Sequence, residues 1–180
     1  DITAEVIRQK ADIGIAWDGD ADRCFFIDGS GEFIAGDFIT ALLAEAFLLK
    51  HPGSTIIYDV RASYAVKDIV ARYGGTALMN RVGHAFIKRR MREEDGIFGG
   101  EVTGHYYFKD NFYADNGFIP ALLILELMSK FIDSVDRYTE NHSRRVASYS
   151  VEMARALGLP ECEVENIRVG SGRPPGGLVL

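Results

Sequence analysis

Three carboxylates stand at alternate positions in the segment Asp18–Arg23 (DGDADR), which directly follows the apolar run Ile13–Trp17. Acids this close to one another repel strongly unless a cation lies among them. A short apolar run before such a cluster is typical of a buried strand. The spacing therefore predicts a divalent-metal loop at the end of a buried strand, and we call this segment the metal loop.

Two other motifs share alternating acids with the metal loop. An EF-hand has glycine at its sixth position and glutamate at its twelfth, where this chain has Arg23 and Gly29, and a strand instead of a helix precedes this loop. Aspartyl-phosphate hydrolases use Asp-x-Asp-x-Thr, but here Asp22 takes the place of the threonine. That second interpretation stays open as a weaker alternative, as does a solvated acidic turn that holds a stray ion.

The length and charge of the chain limit its function class. At 180 residues the chain can form one domain plus part of another. A net charge of −6 and a pI near 5.2 argue against a nucleic-acid partner, because binding to a phosphate backbone needs a basic face. The longest apolar run, Ile119–Leu125, is too short to span a bilayer, so no membrane partner is predicted.

The two cysteines, Cys24 and Cys162, form neither a disulfide framework nor a CxxC pair. This usage predicts a reducing compartment, the cytoplasm. Cys24 lies in a predicted strand, where we expect a buried structural thiol. The chain begins Asp-Ile-Thr without a methionine, and we expect it to be a fragment of a longer protein.

Hydrophobic periodicity and turn residues predict alternating strands and helices. The predicted strands are 13–17, 23–27, 55–59, 76–79, 97–99 and 105–109, and the predicted helices are 3–10, 37–49, 62–73, 83–94, 116–133 and 148–157. Asp37 and Ser63 are the expected caps of two of these helices. The alternation predicts a layered α/β fold with a largely parallel sheet and right-handed crossovers. The Gly- and Pro-rich end, 170–177, predicts a mobile tail.

Three motifs occur in one order along the chain: ADIGIAWDGDADR at 11–23, RVGHAFIKRRM at 81–91 and GEVTGH at 100–105. Together they make the chain resemble the α-D-phosphohexomutase family, which includes phosphomannomutase and phosphoglucomutase. The resemblance covers about residues 11–135. It implies the C-terminal part of a second α/β domain at 1–36, a third domain with a layered sheet flanked by helices at 37–135, and a divergent tail at 136–180.

The resemblance implies that Asp18, Asp20 and Asp22 bind Mg²⁺ together with a phosphoserine from an earlier domain. Hard carboxylate oxygens suit Mg²⁺, which offsets charge on a transferring phosphoryl group. Arg23 is expected to act in catalysis by reaching a phosphate oxygen with its rigid fork of donors. A salt bridge that only closes the metal loop is the alternative for Arg23.

Glu101, Thr103 and His105 are the expected sugar contacts. Their alternation along an extended segment would project all three side chains to one side, where they can grip vicinal hydroxyls. The family more often has Ser at the position of Thr103. The alternative is an exposed strand residue at Glu101 and a half-buried histidine at His105.

Two further candidates follow from local position and from the resemblance. His84 lies at a predicted helix start, where free N–H groups favour an anion, and it is expected to contact phosphate or to transfer a proton. Arg61 follows a strand end, where ligands gather in α/β sheets, and is expected to bind substrate. Lys88 is a weaker candidate on the same helix as His84. The other basic residues of that helix, Arg89, Arg90 and Arg92, are expected to be solvated.

The family's phosphoserine segment (TASHNP-like) and its terminal phosphate-binding loop (RxSGTEP-like) do not occur in the chain. The resemblance therefore implies part of an enzyme that moves a phosphoryl group between the 6- and 1-positions of mannose or glucose phosphate through a hexose 1,6-bisphosphate. The phosphoserine domain and the C-terminal phosphate-binding domain would be its missing partners, and the fragment alone is expected to be inactive. Phosphoglucosamine mutase, which typically has Gln-Ser at Val102-Thr103, and a non-catalytic sugar-phosphate module are the alternatives.

Overall fold

Strands and helices alternate through most of the chain, as predicted. The computed structural model describes residues 1–135, 150–155, 160–161 and 164, and the chain forms two compact units, 1–121 and 122–180. The elements are α1 (Ile2–Gln9), β1 (Ile13–Trp17), β2 (Cys24–Asp28), β3 (Phe33–Ile34), α2 (Gly36–Lys50), β4 (Thr55–Asp59), α3 (Tyr64–Arg72), β5 (Thr76–Asn80), α4 (His84–Glu93), β6 (Phe98–Gly100), β7 (Tyr106–Phe108), a 3₁₀ turn (Lys109–Asn111), β8 (Ala114–Asp115) and α5 (Phe118–Val135).

A small antiparallel sheet, in the order β1-β2-β3, carries the metal loop. β1 pairs with β2 in a register that places Trp17 opposite Cys24, so the metal loop joins the two strands directly. α1 packs closely on β1: a Cβ atom added at Gly14 would lie only 2.5 Å from Cγ2 of Val6, so only a glycine fits there. Cys24 is fully buried, as predicted, and burial raises the pKa of its thiol to about 12.

A five-stranded sheet, in the order β5-β4-β6-β7-β8, forms the larger part of the first unit. β5, β4 and β6 are parallel, whereas β7 and β8 add antiparallel. The prediction of an α/β fold is therefore confirmed, but the sheet is mixed instead of largely parallel. The reason is the short connection after β6, since a parallel crossover needs a dozen residues or more.

Helices cover both faces of this sheet. On one face, Phe47 of α2 stacks on Phe98 with ring centres 5.2 Å apart. On the other face, Ile87 of α4 is fully buried in a cluster with Ile57 and Tyr107. Burial of one such aromatic side chain stabilises the fold by about 1.5–3 kcal/mol. The result is a helix–sheet–helix sandwich in which the strand ends lie beside the metal loop.

The two predicted helix caps differ in outcome. Ser63 caps α3 as predicted, because its Oγ accepts a hydrogen bond from the N–H of Ala65 at 3.3 Å. The prediction for Asp37 is wrong: α2 begins one residue earlier, with Ala35 at the cap position. Asp37 is 7% exposed and accepts instead from the N–H of Ser63 at 3.0 Å. The carboxylate of Asp37 thus accepts from a residue distant in sequence instead of capping its own helix.

In the second unit the described residues include a helical stretch at 150–155, inside the helix predicted at 148–157. Val151, Ala154 and Val164 form a small buried cluster there. The predicted mobile tail at 170–177 lies outside the described residues, and the domain boundaries after residues 36 and 135 stay predictions. Within the described part of the chain, no helix has the length and apolar character that crossing a membrane requires.

Candidate functional site

The metal loop gathers its three aspartates around one point. Asp18, Asp20 and Asp22 each place a carboxylate oxygen within 4.8 Å of the others. Ala21 adopts a left-handed backbone conformation with φ 58°, and its N–H donates to the carbonyl of Asp18 at 3.2 Å. This turn brings the side chains of the three alternate aspartates close together.

Arg23 closes the metal loop from within. Its Nε lies 2.6 Å from Oδ2 of Asp18, and its backbone N–H donates to Oδ1 of the same residue at 3.2 Å. Burial raises the pKa of Asp18, but the hydrogen bonds from Arg23 outweigh burial and lower it. The salt bridge named above as the alternative for Arg23 is thus present. A role in contacting phosphate remains a proposal.

Asp22 lacks the compensation that Asp18 receives. Its Oδ1 is buried and has no hydrogen-bond partner among the described residues. Burial raises the pKa of Asp22, the nearby His105 lowers it, and the charges of Asp20 and Asp18 raise it further. Among the described residues, the nearest cationic group to Oδ1 of Asp22 is Nε of Arg23, at 3.8 Å. A carboxylate oxygen without a hydrogen bond, beside two other carboxylates, fits a hard divalent cation.

The segment that follows β6 is a tight turn, Glu101–His105, which we call the 101–105 turn. The N–H of Glu101 donates to the carbonyl of His105 at 2.9 Å, and the N–H of Gly104 donates to the carbonyl of Glu101 at 3.0 Å. Gly104 has φ +87°, and a side chain there would lie 3.0 Å from the carbonyl oxygen of Cys24. The prediction of an extended segment is therefore wrong, because the chain must reverse between β6 and β7.

Glu101 is buried inside the turn, with only 2% of its surface exposed. Its Oε1 accepts from the N–H of Gly83 at 2.9 Å, and its Oε2 accepts from the hydroxyl of Tyr107 at 2.6 Å. Burial first, and then this hydrogen bond, raise the pKa of Tyr107. The alternative of an exposed strand residue at Glu101 is also wrong. Glu101 joins the turn to the start of α4, while Thr103 lies half-buried on the turn.

The 101–105 turn lies against the metal loop although about 80 residues separate them in sequence. Arg23 and His105 form an isolated antiparallel bridge, and the N–H of Cys24 donates to the carbonyl of Gly104 at 3.0 Å. Nδ1 of His105 lies 3.8 Å from Oδ2 of Asp22. His105 is half-buried, as its alternative interpretation expected. The structure thus brings a predicted sugar contact beside the predicted metal ligands.

Arg61 and His84 lie beside residues that contact the 101–105 turn. Nε of Arg61 lies 3.1 Å from Oδ1 and 3.0 Å from Oδ2 of Asp59, and Oδ2 of Asp59 also accepts from the N–H of Val102 at 3.3 Å. His84 is exposed at the first position of α4, directly after Gly83, whose N–H bonds to Glu101. The position of His84 at a helix start is confirmed, and its chemical role is untested.

Two aspartates at the site were missed by sequence reasoning. Asp59 is fully buried and accepts from the backbone N–H of Arg61 at 2.7 Å. Burial raises the pKa of Asp59, but the hydrogen bonds from Arg61 outweigh it and lower the pKa. Asp115 lies 2.6 Å from Nζ of Lys88 and 3.2 Å from Nδ1 of His105. The position of Asp59 at a strand end was a usable signal, whereas Asp115 has no local one.

The basic residues of α4 separate into two groups. Lys88 is partly buried against Asp115, so it does not belong to the solvated face. Arg89 pairs with Glu93 at 2.7 Å on the exposed face of the helix, as expected for a solvated charge. Arg90 pairs with Glu94 at 3.1 Å, but it is half-buried and its Nε has no hydrogen-bond partner among the described residues, so the expectation of a solvated Arg90 is wrong. The site therefore combines a carboxylate cluster that can hold a cation with a nearby set of side chains that can contact a phosphosugar.

Comparison with known proteins identifies the family that the three sequence motifs resemble. The family model described as phosphoglucomutase/phosphomannomutase, alpha/beta/alpha domain III, matches residues 35–146. A phosphomannomutase of Escherichia coli K12 is 56% identical over 123 residues, which are 68% of this chain and 27% of that protein. A phosphomannomutase of Vibrio cholerae is 55% identical over 128 residues, 71% of this chain and 28% of that protein.

Solved structures agree with the sequence relatives. A phosphoglucomutase/phosphomannomutase family protein from Burkholderia thailandensis has a TM-score of 0.63 and 37% identity, and the match covers 66% of this chain and 26% of that one. A putative phosphomannomutase from Thermus thermophilus has the same TM-score, 0.63, at 19% identity over 94% of this chain and 33% of that one, which shows the fold alone.

The chain spans about a quarter of the length of the curated relatives that it matches. The family resemblance predicted from the three motifs is confirmed, as is the α/β fold class. With the metal loop, the mixed sheet and the 101–105 turn in place, the chain belongs to the phosphoglucomutase/phosphomannomutase family, whose α/β/α domain III it contains.

Proposed function

We propose that this chain is the metal-binding and sugar-contacting part of a phosphohexomutase. The parent enzyme would move a phosphoryl group reversibly between the 6- and 1-positions of mannose or glucose phosphate, with hexose 1,6-bisphosphate as the intermediate. The observation that carries this proposal is the contact between the metal loop and the 101–105 turn through Arg23, Cys24, Gly104 and His105. The names of the relatives, phosphomannomutases at more than 50% identity, support the choice of reaction.

Asp18, Asp20 and Asp22 would hold Mg²⁺. When bound, this ion would offset the negative charge that develops on a phosphoryl group in transfer. The three carboxylates supply the hard oxygen donors that Mg²⁺ prefers, and the lack of a hydrogen bond at Oδ1 of Asp22 among the described residues supports the assignment. Arg23 uses Nε towards Asp18, so its remaining guanidinium donors are available to a phosphate oxygen.

The turn and the two strand-to-helix connections would bind the phosphosugar. Thr103 and His105 offer a hydroxyl and an imidazole to sugar hydroxyls, and Glu101 orients both through its place in the turn. Its carboxylate oxygens keep further lone pairs for a ligand after accepting from Gly83 and Tyr107. His84 lies at a helix start, where free N–H groups and the dipole favour a phosphate. The exposed guanidinium of Arg61 would add a second phosphate contact.

The parts that the chain lacks define its partners. A domain with the phosphoserine and a C-terminal phosphate-binding domain would complete the active centre, so we propose that the 180 residues alone turn over no substrate. Val102-Thr103 stand where a phosphoglucosamine mutase typically has Gln-Ser, which favours mannose or glucose phosphate as substrate. The cysteine usage supports a cytoplasmic location.

The full-length enzyme tests this proposal with three substrates, mannose, glucose and glucosamine 1-phosphate, in the presence of Mg²⁺ and a trace of hexose 1,6-bisphosphate. We expect conversion of mannose or glucose 1-phosphate to the 6-phosphate, and at least 100-fold slower conversion in the Asp20→Asn variant, about 2.7 kcal/mol of lost transition-state stabilisation. A preference for the glucosamine substrate, or no mutase activity, would contradict the proposal. Turnover by the 180-residue chain alone would contradict the proposed division between domains.

A further inference from the structure

We propose that Asp115 is a positioning residue of the phosphosugar site. Its two carboxylate oxygens connect two separate elements, α4 through Lys88 and the 101–105 turn through His105. This role rests on the proposed function, because both residues matter only if a phosphosugar binds between the turn and the metal loop.

The geometry of Asp115 divides its two oxygens between two partners. Oδ1 lies 2.6 Å from Nζ of Lys88, and Oδ2 lies 3.2 Å from Nδ1 of His105. The side chain of Asp115 is 12% exposed, that of His105 is 19% exposed and that of Lys88 is 24% exposed. Because water screens these charges less than it screens charges at the surface, the pairs hold their partners more firmly than a surface salt bridge does.

The backbone around Asp115 is fixed on two sides. Asp115 pairs with Tyr107 in the sheet, and the N–H of the next residue, Asn116, donates to the carbonyl of Tyr106 at 3.1 Å. Gly117 then contacts the metal loop and β1: its N–H donates to the carbonyl of Ala21 at 3.2 Å, and its carbonyl accepts from Nε1 of Trp17 at 2.8 Å. The carboxylate therefore has a defined position relative to both the sheet and the metal loop.

His105 depends on Asp115 for its orientation. Its Nδ1 is buried and receives no directed hydrogen bond from the described residues, so the carboxylate of Asp115 at 3.2 Å is its nearest charged partner. The other nearby carboxylate, that of Asp22, lies at 3.8 Å and belongs to the metal loop. Asp115 thus faces Nδ1 more closely than the metal-loop carboxylate does, as a counter-charge that favours this orientation of the ring and leaves Nε2 for the ligand.

Lys88 has a matching dependence. Nζ lies 5.7 Å from the centre of the Tyr107 ring, and Asp115 is its charged partner in the interior. If the charge of Asp115 were removed, a partly buried ammonium group would lose that partner, and the ion pair between α4 and β8 would be lost. One substitution at Asp115 should therefore displace two groups of the site at once.

The test is Asp115→Asn in the full-length enzyme, which keeps the shape of the side chain and removes its charge. We expect kcat to fall by about 10–100-fold, in the range found when the partner of a functional histidine is removed, while KM for the hexose phosphate changes by less than about threefold. Asp110→Asn is the matched control, because Asp110 is exposed on the adjoining 3₁₀ turn, and it should leave kcat unchanged. An unchanged kcat in Asp115→Asn would overturn the inference.

A merely structural role is separated by combining substitutions. If Asp115 acts through His105 and Lys88, adding Asp115→Asn to the His105→Gln, Lys88→Met double variant should lower kcat by less than twofold further. Fully multiplicative losses would overturn the inference. If Asp115→Asn fails to fold, Asp115→Ser, which also removes the charge, replaces it, and kcat equal to wild type would again overturn the role. An inactive wild-type enzyme would instead overturn the proposed function, which separates the two failures.

Discussion

The metal loop and the 101–105 turn face each other, but they are built in opposite ways. The loop is local: its three aspartates lie within five residues, it is half exposed, and its own Arg23 closes it. The turn is held from a distance by Gly83, Tyr107 and Cys24, and its central carboxylate is buried. The first region carries its chemistry in adjacent residues, whereas the second obtains its shape from the rest of the fold.

Because of this difference, we expect the turn to contribute to the stability of the fold and the loop to contribute to cation binding. In the turn, each carboxylate oxygen of the buried Glu101 accepts a hydrogen bond, so the loss of either partner leaves a desolvated oxygen unsatisfied. In the loop, like charges lie together and one buried oxygen, Oδ1 of Asp22, has no hydrogen bond among the described residues, so the fold tolerates this cluster instead of depending on it. Substitutions in the turn should therefore lower the free energy of unfolding, and substitutions in the loop should change cation binding.

The largest effect is expected at Glu101. Glu101→Ala removes the acceptor of the buried hydroxyl of Tyr107 and of the half-buried N–H of Gly83. We expect the free energy of unfolding to fall by about 2–4 kcal/mol, measured by urea denaturation of the 180-residue chain. Glu93→Ala is the control, because Glu93 forms only an exposed pair with Arg89, and it should cost no more than about 0.5 kcal/mol. Equal losses of stability in the two variants would show that the buried hydrogen bonds of Glu101 stabilise the fold no more than an exposed ion pair does.

A smaller difference is expected between two glycines. Gly104→Ala forces a side chain into a left-handed conformation, 3.0 Å from the carbonyl oxygen of Cys24, and should cost about 1–3 kcal/mol. Gly19→Ala in the metal loop has open space around it, since nothing lies within 4 Å of the added carbon, and should change stability by less than about 0.5 kcal/mol. Thermal unfolding of both variants measures the difference. A loop variant as unstable as the turn variant would show that the loop is not locally built.

The sequence predicted those parts of the molecule whose causes are local. The alternation of strands and helices, the cap at Ser63 and the convergence of the loop aspartates all depend on residues close together in the chain. Periodicity and turn chemistry act over the same short range, which is why they could be read directly. The family was also predictable, because each of its motifs is a short continuous segment that can be recognised without knowledge of the fold.

The features that were mispredicted or missed have long-range causes. Glu101 looked like part of an extended strand because nothing nearby shows that Gly83 and Tyr107 would bury it. Asp37 looked like a helix cap, but the N–H of Ser63, 26 residues away, takes its carboxylate. The antiparallel half of the sheet follows from a connection too short for a crossover. Asp115 acquires its partners only when β8 pairs with β7.

The most direct test of the central claim is a paramagnetic one: Mn²⁺, which accepts the same oxygen ligands as Mg²⁺, is titrated into the isotope-labelled chain. If the loop and the turn form one site, amide signals of Asp20 and Asp22 and also of Gly104 and His105 should broaden. The signal of Gly53, before the opposite end of β4, should not, and Asp20→Asn should abolish the effect. Broadening that spares the turn, or that persists unchanged in Asp20→Asn, would contradict the account.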